Sequence, residues 1–432
     1  MNISIFKIKI TSQATIISKK VVALGSFKKN TNLLFQDKMK KKLFFIAIAG
    51  LFTSMANAAD LYVRATGANG AYTTVTAAIT AAANGDRIII QPKTDGSAYV
   101  ENLNINKSLT FISETNYNRY FIRGTVTIQP LAGRVVNISN LSSGNFTIYN
   151  IVMNGNTVGG RTTINLMNCY LNNVDTTPAN TTTNMSGCTV SGYVFFSHGR
   201  MTGNNVQRMT AYNTSSDNSL ATTDVEIIGN ATSSTIANQQ TSYNFKFYNN
   251  FTSGLGVYAT KPGGSNEIVN NTVYDPNGGD VAPIYITGNG NPGSGGNVAI
   301  MNNAISFVVG QTNACIQTDG IAVVTASYNV STNAYVTEGS ITQSNNTGSV
   351  NMNFSNTAYT ISGGNVNAGN PAVIYTDLDL TRNDAGHYGG SNSWANYFPA
   401  DNGGRPQVNY LVTPRTILGT STLNVSGSAF SK

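Results

Sequence analysis

Three residues that share one phase of neighbouring segments are the first candidates for chemistry in this chain: Glu226, Lys246 and Glu267. Each sits second in a short alternating run: Val225-Glu226-Ile227-Ile228, Phe245-Lys246-Phe247-Tyr248 and Asn266-Glu267-Ile268-Val269. Side chains in register on adjacent strands lie close enough to interact. A lysine between two carboxylates suits proton abstraction, and acid pairs at suitable spacing suit glycosidic hydrolysis. The same row serves equally as a solvent-facing ion ladder worth ~0.2–1 kcal/mol per pair. No second carboxylate adjoins either Glu in the sequence, which favours the ladder.

Other constellations are weaker. Asp275-Pro276-Asn277-Gly278-Gly279-Asp280 offers oxygens for Ca²⁺ through Asp275 and Asp280, yet no Glu closes the loop as a Ca²⁺ site would require. The Gly-rich run that follows, Gly288 to Gly296 with Asn289 and Asn291, reads as a surface loop rather than a phosphate cradle. Loops on a rigid scaffold are where binding concentrates. Asp275, Asn277, Asp280, Asn289 and Asn291 are therefore the expected ligand-facing residues. Asp377, Asp379, Arg382 and Asp384 form the densest charge cluster, with Arg382 expected to pair with the acids. His198 and His387 have no evident triad partner. Cys169 and Cys188 share a phase, which leaves open a disulfide or two buried thiols. Tyr117 to Phe121 and Tyr193 to Phe196 hold aromatics suited to stacking on sugars, although aromatics at strand phase usually belong to a core.

The elements that position these groups follow from composition. The 432 residues are 10% charged and carry 42 Gly, three Cys, two His and one Trp. Asn is the outlier at 58, with 54 from Asp60 onward. So many turn-forming residues exclude a large helical enzyme, and so few Cys and His exclude a disulfide scaffold or a His-rich metal site. The net charge of +7 belongs to the first 59 residues, which hold ten Lys and one Asp; the remainder holds 16 Lys and Arg against 18 Asp and Glu. Nucleic-acid binding is not indicated. Met39-Lys40-Lys41-Lys42, the apolar stretch Leu43 to Phe52, and Ala56-Asn57-Ala58 form a tripartite export signal over 39–59. Residues 1–38 read as an upstream extension, and the exported chain begins near Asp60. The apolar stretch is about half the ~20 residues of a membrane span, so secretion or surface display is expected, with no membrane span.

One local pattern then recurs: alternating apolar residues, an Asn, and further alternation. The closing Asn or Cys falls at 169, 188, 205, 230, 250, 271, 303 and 329, with gaps of 19, 17, 25, 20, 21, 32 and 26. A period near 20 with strand alternation means stacked coils, none of which buries its apolar side alone. Asn at one turn position, including Asn230, Asn250, Asn271 and Asn303, stacks from coil to coil and satisfies buried turn groups. The fold class is therefore all-β, a right-handed parallel β-helix of about 13–15 coils, judged from ~20–25 residues per coil.

The chain resembles the right-handed parallel β-helix proteins of the pectate-lyase-like group, particularly secreted bacterial forms of the Bacteroidetes type. Tyr72-Thr73-Thr74-Val75-Thr76-Ala77-Ala78-Ile79 and Asn84-Gly85-Asp86-Arg87-Ile88-Ile89-Ile90 are similar to that group's opening. Gly369-Asn370-Pro371 and Asp377 to Gly390 are similar to its terminal segment, except that Leu380 stands where Gly is usual. The resemblance implies a capping helix before the first coil, a solenoid over 60–390, and Arg382 and Asp384 pinning the last turns. Residues 391–432 then form a short capping or docking tail. This fold hosts many functions. The expected one is a non-catalytic extracellular or cell-surface solenoid in an adhesive, matrix, filament or glycan-binding role, with polysaccharide or surface partners and self-association open to it. The alternative is a polysaccharide lyase. No cofactor is expected beyond an occasional Ca²⁺.

Overall fold

The computed structural model describes residues 58–115, 118–143, 150–213, 217, 220–279, 281–287, 295–309 and 313–397, with the backbone of Gln407–Val412 and Ser426–Phe430. The leader and Tyr117, Asp280, Asn289 and Asn291 lie outside these residues.

Among the described residues the chain winds as a right-handed parallel β-helix. One sheet has 13 strands, from Asp60–Val63 to Ile341–Ser344, and a second has 20, most of them shorter. Every pairing within these two sheets is parallel and joins one coil to the next, as in Val225↔Phe245 and Lys246↔Glu267. Alternation sets the core. Ile164, Leu166, Phe245, Phe247, Ile268 and Ile300 point inward and are at most 1% exposed. Their outward neighbours are polar or half-buried.

The turn that carries the ladder has a two-residue rule. Asn168, Gly187, Gly203, Gly229, Asn249, Asn270, Asn302, Tyr328 and Asn345 all adopt positive φ, between 50° and 64°. Gly and Asn tolerate that region best. The next residue in each coil is Cys169, Cys188, Asn204, Asn230, Asn250, Asn271, Asn303, Asn329 or Asn346, with its side chain turned inward. Asn230 donates its N–H and Nδ2–H to Asn250 Oδ1 at 2.9 and 3.0 Å. Asn250 does the same to Asn271, Asn271 to Asn303, and Asn303 to Asn329. The remaining amide hydrogen reaches a carbonyl of the preceding coil, such as Asn250 Nδ2 to Ile227 O at 2.9 Å. Asn204, not Asn205, is the rung of its coil: it donates to Asn230 Oδ1. At the upper end Cys188 N–H donates to Asn204 Oδ1 at 2.9 Å, and Cys169 N–H to Cys188 Sγ at 3.4 Å. Both are free thiols.

The first coil is closed by the helix Val75–Ala81. Thr74 Oγ1 accepts from Ala77 N–H, and the Glu101 carboxylate accepts from Val75 and Thr76 N–H at 2.9 and 2.8 Å. Lys107 Nζ donates to three carbonyls at the other end. A short helix with an acid at its N-terminus and a cation at its C-terminus is held by both dipole ends.

The far end changes character before residue 390. The last parallel strand ends at Ser344, and Met352–Ser355 pairs antiparallel with Thr360–Gly363. From Asn365 the chain then runs back along the ladder turns as a strap. Asn370 N–H donates to Asn302 Oδ1, Asn270 Nδ2 to Asn383 Oδ1, and Asn249 Nδ2 to the carbonyls of His387 and Gly389. Trp394 packs with Phe251 and Ala231, and Tyr397 lies over Gly229 and Gly203. A Cβ at Gly229 would stand 2.9 Å from Tyr397 Cβ and 3.0 Å from its ring, so glycine lets the strap approach there. Within the described residues, the segment up to Tyr397 lies against the side of the stack. The reason is chemical: the positive-φ Asn side chains face outward and need partners that the strap backbone supplies.

His387 anchors the strap. It is fully buried, its Nδ1 accepts from Thr272 Oγ1 at 2.7 Å, and its Nε2–H donates to Tyr359 O at 3.1 Å. Phe251 and Trp394 face the ring edge-on. Burial lowers its pKa from 6.5 to about 3, only partly opposed by the Tyr359 carbonyl.

Two outcomes are expected. Asn250→Leu removes the acceptor of Asn230 N–H and the side-chain donor to Ile227 O, leaves Asn271 Oδ1 only the backbone N–H of residue 250, and should lower unfolding free energy by about 1–3 kcal/mol in urea titrations; unchanged stability would refute the ladder's role. For His387 the folded pKa lies below the unfolded one, so the unfolded chain binds more protons between about 3 and 6.5. Relative to His387→Gln, wild-type stability should fall as pH drops below 6.5, at up to about 1.4 kcal/mol per pH unit. Parallel stability curves for the two proteins would contradict this.

Candidate functional site

The charged row lies on the outward face of the 13-stranded sheet. Glu226 is the register partner of Lys246, and Lys246 of Glu267. The structure adds two members. Arg200 stands opposite Glu226 one coil earlier, with its guanidinium on the Glu226 carboxylate. Lys246 Nζ binds Asp224 Oδ2 at 2.9 Å. Asp224 was legible as a residue two before Glu226, hence on the same face. Arg200 was missed because the rung of its coil was placed at 205. The row stands four residues before each rung, and a shift of one turns every side chain to the opposite face.

Pairing changes what the row can do. Burial pushes the Lys246 ammonium pKa down, but the hydrogen bond and charge of Asp224, with Glu226 and Glu267 nearby, outweigh it and hold it above the ordinary value. An ammonium held that way stays protonated near neutrality and abstracts protons poorly. Glu226 is likewise held by Arg200. Glu267 makes no hydrogen bond or ion pair with any described residue, and the row ends beside it, because Ala299 occupies the next position.

Two concavities flank the solenoid surface. One, of about 270 Å³, lies between the sheet face at Tyr248, Glu267 and Met301 and the strap at Ile374, Tyr375 and Asn392. The other, of about 800 Å³, lies on the second sheet and is lined by Val100, Arg119, Phe121, Arg123 and Tyr170, with Ser142 at its base. Alternation in Tyr120–Arg123 sends Tyr120 and Ile122 into the core and presents Phe121 and Arg123 outward. Phe121 and Tyr170 both stand in register with Ser142. The Arg119 guanidinium lies 5.8 Å from the Tyr170 ring centre and donates to Asn168 Oδ1 at 3.3 Å. Farther along, Tyr193 and Phe195 stack outward with centroids 4.7 Å apart, while Val194 and Phe196 are core.

The region from Asp275 to Gly296 is not one inserted loop. Ile284–Ile286 is a solenoid strand paired to Leu255–Val257 and Ile316–Thr318, with Ile284 and Ile286 fully buried. Only the two connections around it are surplus, because the coil still needs its inward pair. Asp275 Oδ1 turns back to accept from Asn277 N–H at 3.1 Å. Among the described residues no group of three or more His, Cys, Asp or Glu is placed to hold a metal ion.

Arg382 does not join the acids around it. Its Nε donates to Gly369 O at 2.8 Å, while Asp377 accepts from the N–H groups of Gly390 and Asp384, and Asp384 Oδ1 from Asn367 N–H. The carboxylates satisfy strap amides, whose positions leave no room in that role for a side-chain cation. Burial raises the Asp377 pKa to about 6 despite these amides. His198 belongs to a buried cluster that sequence spacing hides. Asp217 accepts from Tyr243 Oη at 2.6 Å, Asn180 N–H at 2.9 Å and Ser197 Oγ at 3.1 Å, and Arg161 reaches both Asp217 and Tyr243. The His198 ring lies 4.3 Å from that of Tyr243, and burial lowers its pKa to about 4. Its Nε2 meets Thr223 O at 2.9 Å. The cluster fastens a turn across several coils.

Comparison with protein-family models, curated proteins and solved structures gave no match. Among the described residues no helix is long and apolar enough to cross a membrane. The class established here is a parallel β-solenoid.

Proposed function

We propose that this chain is an exported, non-catalytic β-solenoid that binds an anionic glycan along the groove formed by Arg119, Phe121, Arg123 and Tyr170. The observation that carries this reading is the pairing of two aromatic rings with two guanidinium groups in one concavity of about 800 Å³ on a rigid sheet. Aromatic faces suit the C–H faces of sugar rings, and guanidinium suits carboxylate or sulfate. The tripartite leader over residues 39–59 supports export, and kinship with secreted members of the pectate-lyase-like group rests on the opening and terminal motifs alone. The lyase alternative needs Lys246 as base, and its tie to Asp224 works against that role.

The test is binding and turnover on one panel of polyuronates. Wild-type protein should be retained on immobilised polygalacturonate or alginate, with weaker retention at higher salt. Phe121→Ala should lower affinity up to about tenfold, the loss expected for one stacking contact. No absorbance from unsaturated product should arise, with Ca²⁺ present or absent. Turnover that disappears in Lys246→Ala would establish the lyase reading instead. Separately, the N-terminus of exported protein should lie near Asp60; a start at Met1 or Met39 would refute export through this leader.

A further inference from the structure

The groove between the 13-stranded sheet and the strap has the opposite character. Across the charged row there are two cations and three carboxylates, and each cation is held by one carboxylate: Arg200 by Glu226, Lys246 by Asp224. Asp224 offsets the Lys246 charge that would otherwise neutralise its neighbour. Glu267 is left over, half-buried and without a hydrogen-bonding or ionic partner among the described residues. A carboxylate in that position is a strong acceptor, and the cation opposite it, Lys246, is already bound to Asp224. The half-buried Tyr248 on the sheet and Tyr375 on the strap line the same groove, together with Met301 and Asn392. The volume of about 270 Å³ suits one ring-sized group rather than a polymer run. A second negative charge lies just behind the wall, since the Asp377 carboxylate accepts from the N–H of Gly390, which itself lines the groove.

We propose that this groove is a binding site for a single sugar ring bearing a protonated amine, as in glucosamine, with Glu267 accepting from the ammonium group and the two tyrosines flanking the ring. A cation beside tyrosine faces gains attraction from the rings as well as from the carboxylate. The site is separate from the Arg119 groove and does not depend on it. Because one wall is strap, occupancy also favours the docked strap and should raise the unfolding temperature in the presence of ligand.

The experiment is calorimetric titration of the full exported chain with glucosamine, glucose and galacturonic acid, and with CaCl₂ alone. Glucosamine should bind with saturable heat, and glucose at least about tenfold more weakly, the ratio that follows from losing one charge-assisted hydrogen bond. Galacturonic acid should not bind this site. Glu267→Gln should reduce glucosamine affinity by about the same tenfold factor. Tyr375→Ala, on the strap wall, should weaken it too, with circular dichroism showing the solenoid intact. Equal binding of glucose and glucosamine, unchanged affinity in Glu267→Gln, saturable binding of Ca²⁺ that displaces glucosamine, or absence of any glucosamine binding would each overturn the proposal. Phe121→Ala serves as the control that keeps the two grooves distinct: it should leave glucosamine binding unchanged.

Discussion

The structure depends on a file of buried side-chain amides. A parallel solenoid must turn sharply at the same place in every coil, and each turn leaves backbone groups that strand pairing does not reach. Asparagine answers this with one acceptor oxygen and two donor hydrogens on a short stem. In each full rung the oxygen takes the N–H and Nδ2–H of the coil before, and the nitrogen serves the next oxygen and a buried carbonyl. The chain can afford 0% exposure for Asn204, Asn230, Asn250, Asn271, Asn303 and Asn329 only because nothing in that file goes unsatisfied. At Cys169 and Cys188 the sulfur replaces the amide, and the contact lengthens to 3.4 Å. The ladder also sets phase. It decides which side chains enter the core, which reach the charged row, and which positive-φ residues face the strap.

Much of this architecture was legible because it is periodic. Alternation and recurring Asn suffice for parallel coils, whereas the capping helix was expected from the resemblance that Tyr72 to Ile79 carries. The failures lie where period gives no information. Asn204 and Asn205 are adjacent and chemically identical, so only hydrogen bonding distinguishes the rung from the first residue of the next strand. That single step concealed Arg200. Ile284–Ile286 was hidden between two Gly-rich connections, where three residues of alternation carry little signal. The reversal after Asn365 could not be read at all. Its hydrogen bonds to the ladder turns join residues at least 68 positions apart, and no local rule connects Asn270 with Asn383 or Asn249 with His387.

The candidate site shows the same division. Glu226, Lys246 and Glu267 do lie side by side, as their common phase implies. Their chemistry, however, is set by Arg200 and Asp224, which turn an apparent triad into two ion pairs and one unpaired acid. Composition alone gives no sign of either groove. One needs Phe121 outward while Tyr120 is inward, a distinction of strand parity; the other needs a strap from a remote part of the chain. Burial of Asp217, Tyr243 and His198 in one cluster likewise depends on side chains brought together from four coils.

The strap changes the mechanics of the molecule. A bare solenoid is coupled mainly between neighbours, so it can peel one coil at a time from an open end. Here the last coils cannot be drawn off in sequence while the chain beyond them is fastened to coils nearer the middle. Tension applied at the C-terminal side meets Tyr397, Trp394 and His387 before it reaches Ile341–Ser344, so the load enters the middle of the stack. Fraying from below is then delayed until the clasp opens, and the lifetime of the folded rod under pulling is governed by that release rate. A clasp of this kind confers a resistance to shear that no count of coils supplies.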